Sequence, residues 1–132
     1  MATVNDIIKL HRDFFYGVAD VRSRIMPVEG TCFAQIRAKN NAICERALKA
    51  LKPVMAYINK QTYMVNGYTD TLSAYDMYEI MVKLQNDSVT AMDKVIDAKD
   101  AGNEEEVQRL RDVLNGHRAK TEAFMNLEAI PV

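Results

Sequence analysis

The chain has 132 residues, of which 48% are hydrophobic and 27% charged, and its formal net charge at pH 7 is −1. This composition is typical of a soluble globular domain, and it excludes a disordered, fibrous or strongly basic chain. The apolar runs are far shorter than the roughly 20 residues that span a bilayer, so we expect a single cytoplasmic domain over residues 1–132 with no membrane partner.

The content of turn-forming residues predicts an all-α fold. Five glycines and three prolines are too few for an all-β protein, which needs a turn roughly every eight to twelve residues. The two cysteines, Cys32 and Cys44, lack C-x-x-C spacing. We therefore expect reduced thiols and no disulfide bridge.

The first predicted helix covers about residues 3–26. Thr3 and Asp6 have the spacing of a capping box, and Pro27 marks the end of the helix. Apolar residues follow at steps of three or four, namely Ile7, Leu10, Phe14, Val18, Val21 and Ile25. This spacing places them on one stripe of a helix.

The second predicted helix covers about residues 31–65 and contains Pro53. A proline inside a helix deletes one backbone donor and crowds the preceding turn. The apolar residues nevertheless keep the same helical phase on both sides of Pro53. The pattern therefore favours one long, kinked helix over two separate helices.

The third predicted helix covers about residues 73–100, with a capping box at Ser73 and Asp76 and a stop at Gly102. Besides its main apolar stripe it carries a second one, formed by Tyr78, Val82, Val89 and Ile96. Together the two stripes cover more of the helix than one partner helix would bury. We expect this helix to be central or to face another subunit.

The fourth predicted helix covers about residues 104–127, and Asn103 caps it. Its apolar residues alternate steps of three and four like a coiled-coil seam, through Val107, Leu110, Leu114, His117, Thr121 and Phe124. The short turn at Gly102 makes the third and fourth helices an antiparallel hairpin. The sequence thus predicts a four-helix bundle-like domain that ends in this hairpin.

Residue patterns typical of catalysis are missing from the sequence. The two histidines, His11 and His117, are not preceded by the Glu-x-x-His spacing of di-iron bundles, and they form no zinc-ligand cluster with the cysteines. No glycine-rich phosphate loop is present. A Cys–His nucleophilic pair would require distant residues to meet, and structural roles for both thiols are favoured. We predict no metal, no cofactor and no enzymatic activity.

Two surfaces are candidates for binding. Five tyrosines lie close in sequence around the turn after the second helix, with a lysine beside them: Tyr57, Tyr63, Tyr68, Tyr75, Tyr78 and Lys60. Such a cluster suits an interface, a pocket for a planar ligand, or a layer that caps the core. A basic stripe on the second helix comprises Lys39, Arg46, Lys49 and Lys60. It is typical of phosphate binding or of an ordinary solvated face.

Charge is divided unevenly along the chain. Residues 1–66 hold ten Lys and Arg against five Asp and Glu, and residues 67–132 hold seven against thirteen, which gives net charges of +5 and −6. Packing the two halves together, self-association, or an acidic partner for the basic half would each neutralise this polarity.

The leading hypothesis is a non-enzymatic, self-associating helical protein that acts as a binding, adaptor or assembly factor, with a homo-oligomer and a protein partner expected. Its candidate contact residues are Val82, Val89, Ile96, Val107, Leu110, Leu114, His117 and Phe124. The alternatives are a module that binds a small anionic ligand such as a nucleotide, and a nucleic-acid-binding protein that uses the basic stripe.

Overall fold

The structure is a computed structural model that describes residues 1–30 and 32–132. It is mostly helical, with a small three-stranded sheet. The elements are α1 (Val4–Leu10), α2 (Arg12–Ser23), α3 (Ala34–Ile58), β1 (Thr62–Val65), β2 (Leu72–Ser73), α4 (Ala74–Asp100), α5 (Glu104–Met125) and β3 (Ala129–Pro131).

The antiparallel sheet, in the order β2-β1-β3, was not predicted. In β1, Tyr63 and Val65 are buried and Met64 is exposed, the alternation expected of a strand with one covered face. The turn that follows uses Gly67 at a φ of +89°, a backbone conformation that glycine adopts without steric cost. The predicted second helix therefore extends too far, because its last residues form β1.

The N-terminus is tied to the sheet by backbone hydrogen bonds. The Val4 amide donates to the Leu127 carbonyl at 2.8 Å, and the Ala129 amide donates to the Ala2 carbonyl at 2.9 Å. α1 also contacts both α4 and α5. Together with residues of α2 and α3, these elements enclose a base core made of Val4, Ile7, Ile8, Phe15, Ile58, Tyr63, Val65, Leu72, Ala74, Met77, Phe124 and Ala129.

The predicted first helix is divided at His11, which has a φ of −113° and separates α1 from α2. The apolar period continues across the break, with Ile8 and Phe15 both buried. Periodicity alone therefore could not reveal the bend. The predicted capping box is confirmed: the Asp6 amide donates to Thr3 Oγ1 and the Thr3 amide donates to Asp6 Oδ2.

α4 and α5 form the predicted antiparallel hairpin and turn at Gly102, whose φ is +72°. The capping box of α4 at Ser73 is confirmed as well. Beyond the base, the hairpin is held by a separate distal core consisting of Ala91, Val95, Ala98, Val107, Leu110 and Leu114. Small alanines on α4 face branched residues on α5, which lets the two helices approach closely.

α3 runs without interruption through Pro53, so the proline does not split it. Only Cys44 and Ile58 on this helix are buried. Its N-terminal half is tied to the segment after α2 by amide side chains: Asn41 exchanges hydrogen bonds with the backbone of Met26 at 2.8 and 3.1 Å. A 25-residue helix with two buried side chains leaves most of its surface in solvent.

The basic and acidic halves are not joined by ion pairs among the residues described. Both ion pairs found there are local, Arg24 with Asp20 and Arg109 with Glu106. A polar contact that does connect the halves is the hydrogen bond from Arg22 Nη2 to the Tyr75 hydroxyl, at 3.0 Å. Folding therefore leaves the charge polarity of the chain largely on its surface.

Candidate interaction surfaces

One side of α3 exposes apolar side chains along the length of the helix. Ile36 is 66% exposed, Ile43 53% and Tyr57 74%. They belong to a row with alternating steps of four and three, the α3 seam, formed by Ile36, Asn40, Ile43, Ala47, Ala50, Val54 and Tyr57. This spacing is that of the a and d positions of a coiled coil.

The two flanks of the α3 seam differ. On one flank Arg37 and Leu51 are half-buried and Cys44 is buried, because this side packs within the chain. On the other flank Lys39 and Arg46 are exposed. In heptad terms Lys39 and Arg46 each precede an a position, which makes them g residues. The α3 seam therefore has one free flank, and that flank is basic.

A second exposed row lies on α4. The α4 seam consists of Tyr78, Val82, Gln85, Val89, Met92 and Ile96, again with alternating steps of four and three. Its distal part is open to solvent, with Val89 59% exposed, Met92 40% and Ile96 45%. Its proximal part, at Tyr78 and Val82, is half-buried. The second apolar stripe of the sequence is therefore exposed on the distal hairpin.

The free flank of the α4 seam is acidic. Asp93 follows the d residue Met92, and Asp100 lies seven residues further, so both occupy e positions and both are exposed. On the opposite flank Val95 is buried in the distal core. The two seams thus carry free flanks of opposite charge.

The predicted contact residues of α5 serve the hairpin instead. Val107, Leu110 and Leu114 are buried in the distal core, and Phe124 is buried in the base core. His117 is half-buried and lines a groove between α4 and α5. A residue buried inside the chain cannot also form an intermolecular seam, so of the predicted contact set Val89 and Ile96 are the exposed members.

The five tyrosines do not share one site. Tyr75 and Tyr78 gather around Phe15, and the Phe15 and Tyr78 rings stack at 4.5 Å between centroids. Burial raises the pKa of Tyr75 above its usual value. The others are distributed: Tyr63 is buried in β1, Tyr68 meets Phe124 edge-on at 5.9 Å, and Tyr57 is exposed on α3.

Lys60 lies beyond the last residue of α3, so it does not continue a helical stripe. Lys39, Arg46 and Lys49 are all exposed on the helix itself. The predicted basic stripe is thus reduced to these three, and the first two are the basic flank of the α3 seam.

A groove between the first two helices and α4 was not predicted. It has a volume of about 300 Å³ and combines an apolar floor, which includes Phe15 and Tyr78, with the polar side chains of Lys9, Arg12 and Gln85. Its residues come from three separate segments of the chain. No sequence spacing could therefore have brought them together.

Comparison with protein-family models, with curated proteins and with solved structures finds no match. Across residues 1–30 and 32–132, none of the helices combines the length and apolar character needed to cross a membrane. In the same residues no three His, Cys, Asp or Glu side chains are grouped as metal ligands would be.

Proposed function

We propose that this protein is a non-enzymatic helical binding protein that self-associates through the α3 and α4 seams, and that it acts as an assembly or adaptor factor. The observation that carries the proposal is the α3 seam. Single exposed apolar residues are normal on protein surfaces, but a continuous row at heptad spacing is typical of a helix-binding surface.

The α4 seam supports self-association in particular. Burial of its distal residues would require a partner helix with its own apolar row, and the α3 seam of a second copy supplies one. Each copy thus carries two rows that need a partner. In α-helical assemblies such rows are buried by knobs-into-holes packing.

Substitution of Ile43 tests the proposal. We expect Ile43→Asp to abolish self-association, because it places an unpaired carboxylate in the middle of the α3 seam. Ala38→Asp is the matched control, because it introduces the same charge at an exposed position of α3 that lies away from the seam. Light scattering or analytical ultracentrifugation at micromolar concentration measures the mass. A wild-type protein that stays a 15.0 kDa monomer would refute the proposal.

The groove beside Phe15 supports a second candidate, a module that binds a small anionic ligand such as a nucleotide. Its volume of about 300 Å³ lies at the lower end of the range for small-molecule sites. Tyr78 and Phe15 offer aromatic surface for stacking, while Lys9 and Arg12 supply positive charge for a phosphate.

A thermal-shift screen of nucleotides tests this candidate. We expect the best ligand to raise the melting temperature of the wild type, and Arg12→Ala to remove the shift. Lys60→Ala is the control, because Lys60 lies after α3 and does not line the groove. Equal losses in both variants, or no stabilising nucleotide, would contradict a phosphate site in the groove.

A further inference from the structure

We infer that α3 of one copy docks in parallel against α4 of a second copy, so that the basic flank of the α3 seam meets the acidic flank of the α4 seam. This inference rests on the proposed self-association and specifies its partner surface. It follows from three properties of the seams: the charge of their flanks, the side on which each flank is free, and the spacing of the charges.

Flank charge selects the pairing. In an antiparallel pair of α3 seams Lys39 and Arg46 would lie near the same cations of the other copy, and an antiparallel pair of α4 seams would oppose Asp93 and Asp100 in the same way. In a parallel pair of identical seams, each free flank would face the flank that packs within the other copy and would meet no opposite charge there. Like charges that face each other across an interface weaken binding and suppress wrong partners. Only the mixed pairing of α3 with α4 joins cations to carboxylates.

The position of the free flank on each seam determines whether the two helices dock in parallel or antiparallel. In a parallel helix pair the g residues of one helix face the e residues of the other, whereas in an antiparallel pair g faces g and e faces e. The free flank of α3 is its g side, with Lys39 and Arg46. The free flank of α4 is its e side, with Asp93 and Asp100. Parallel docking puts both free flanks on the same side of the interface, and antiparallel docking does not.

Spacing fixes the register. Lys39 and Arg46 are seven residues apart, as are Asp93 and Asp100. Because a g residue pairs with the e residue of the following heptad, Lys39 meets Asp93 and Arg46 meets Asp100 in one alignment. The same alignment sets Ile36 beside Gln85, Asn40 beside Val89, Ile43 beside Met92 and Ala47 beside Ile96. The last two pairs are apolar, and each of the first two joins an amide side chain to an apolar one. Both charge pairs thus form in the alignment that also covers the exposed Ile43, Met92 and Ile96. Val54 and Tyr57, at the C-terminal end of the α3 seam, lie past the end of α4 in this alignment.

The contact joins two different surfaces, so every copy offers both halves of it. Such a heterologous contact closes into a ring or extends into a filament according to the rotation between copies. The opposite charges of the two halves would then attract one copy to the next, because the basic flank of each α3 contacts the acidic flank of α4 in another molecule.

Reciprocal charge reversal tests the pairing. The double variant Lys39→Glu/Arg46→Glu makes both seams acidic, and Asp93→Lys/Asp100→Lys makes both basic. We expect each alone to self-associate roughly 10-fold or more weakly than the wild type. We expect an equimolar mixture to recover self-association, because opposite flanks meet wherever a copy of one variant contacts a copy of the other. Recovery on mixing also shows that both variants are folded.

Cysteine cross-linking tests the direction in a Cys32→Ser background, which removes an exposed thiol. Ile36→Cys copies mixed with Gln85→Cys copies are expected to form a mixed disulfide under mild oxidation. Ile36→Cys mixed with Lys99→Cys is the control, because an antiparallel pair with Ile43 beside Met92 would bring position 36 to position 99 instead of position 85. Equal cross-linking of both mixtures would overturn the parallel register.

The outcomes separate the two levels of the proposal. If Ile43→Asp dissociates the wild-type assembly but charge reversal has no effect, self-association stands and the α3–α4 pairing is wrong. If the wild type is monomeric, both fail. A monomer that binds duplex DNA in a salt-dependent way through Lys39 and Arg46 would overturn the pairing and assign the basic flank to phosphate.

Discussion

The substitution Leu114→Ala tests whether the apolar heptad residues of α5 pack within the chain rather than against a second copy. Leu114 is 4% exposed and belongs to the distal core. The substitution removes three carbon atoms, which at about 0.8 kcal/mol per methylene gives about 2.4 kcal/mol of lost burial. Because Leu114 also borders a shallow groove of about 240 Å³, neighbouring side chains and solvent reach the site and the added cavity penalty is small. We expect a loss of about 2 to 3 kcal/mol in the free energy of unfolding.

The assay is urea denaturation followed by circular dichroism at one low protein concentration, because self-association stabilises the folded chain by mass action. Val113→Ala is the matched control: it lies next in sequence on α5 and is 42% exposed. We expect it to change stability by about 0.5 kcal/mol or less. Equal effects of the two substitutions would refute the distal core, as would a Leu114→Ala protein of unchanged stability and reduced oligomer mass.

Two further predictions concern His11 and Ser73. Burial holds the pKa of His11 below its ordinary value of 6.5, so the unfolded chain binds more protons and stability falls as pH drops through about 6.5. His11→Phe should flatten this dependence, measured as the melting temperature between about pH 7.5 and pH 5.5, and an unchanged slope would contradict it. Ser73 Oγ accepts a hydrogen bond from the Asp76 amide at 3.2 Å. We expect Ser73→Ala to lower the free energy of unfolding, measured by urea denaturation, by about 1 kcal/mol. The control Ser23→Ala, at the exposed end of α2, is expected to lower the free energy of unfolding by less.

Local signals predicted much of the helical content. The capping boxes at Thr3 and Ser73 and the stop at Gly102 lie where the sequence places them, because each depends on hydrogen bonds or backbone angles among residues within one turn. Such interactions are complete at short range and need no tertiary partner. The helical hairpin follows from the same signals, since a short turn leaves adjacent helices no other packing.

The strands were not predicted because they are short and because their pairing partners are distant in sequence. β1 pairs with β3 through Val65 and Ala129, and with β2 through Tyr63 and Leu72. Four apolar or β-branched residues at the end of a helical pattern are compatible with either state. The alternation of Tyr63 and Val65 ahead of the Asn66–Gly67 turn is a strand signal, and the stronger helical phase of α3 obscured it.

The candidate site shows the same division. The sequence identified the second apolar stripe of α4 and a continuous apolar phase along α3, but periodicity does not state which face of a helix is buried. Ile43 and Leu114 both occupy seam positions, and one is 53% exposed while the other is 4% exposed. What distinguishes them is whether a neighbouring helix covers the row.

The sequence by itself determined the helical character of this protein, its helix caps, its hairpin and the opposite charges of its halves. These properties follow from interactions within a few residues and from composition. The tertiary structure decided which apolar rows are covered: the α5 seam closes against α4, while the α3 and distal α4 seams stay open. Burial of a helix face depends on which segments pack against it. Contacts between segments that are distant in sequence leave no local periodicity from which that burial could be predicted.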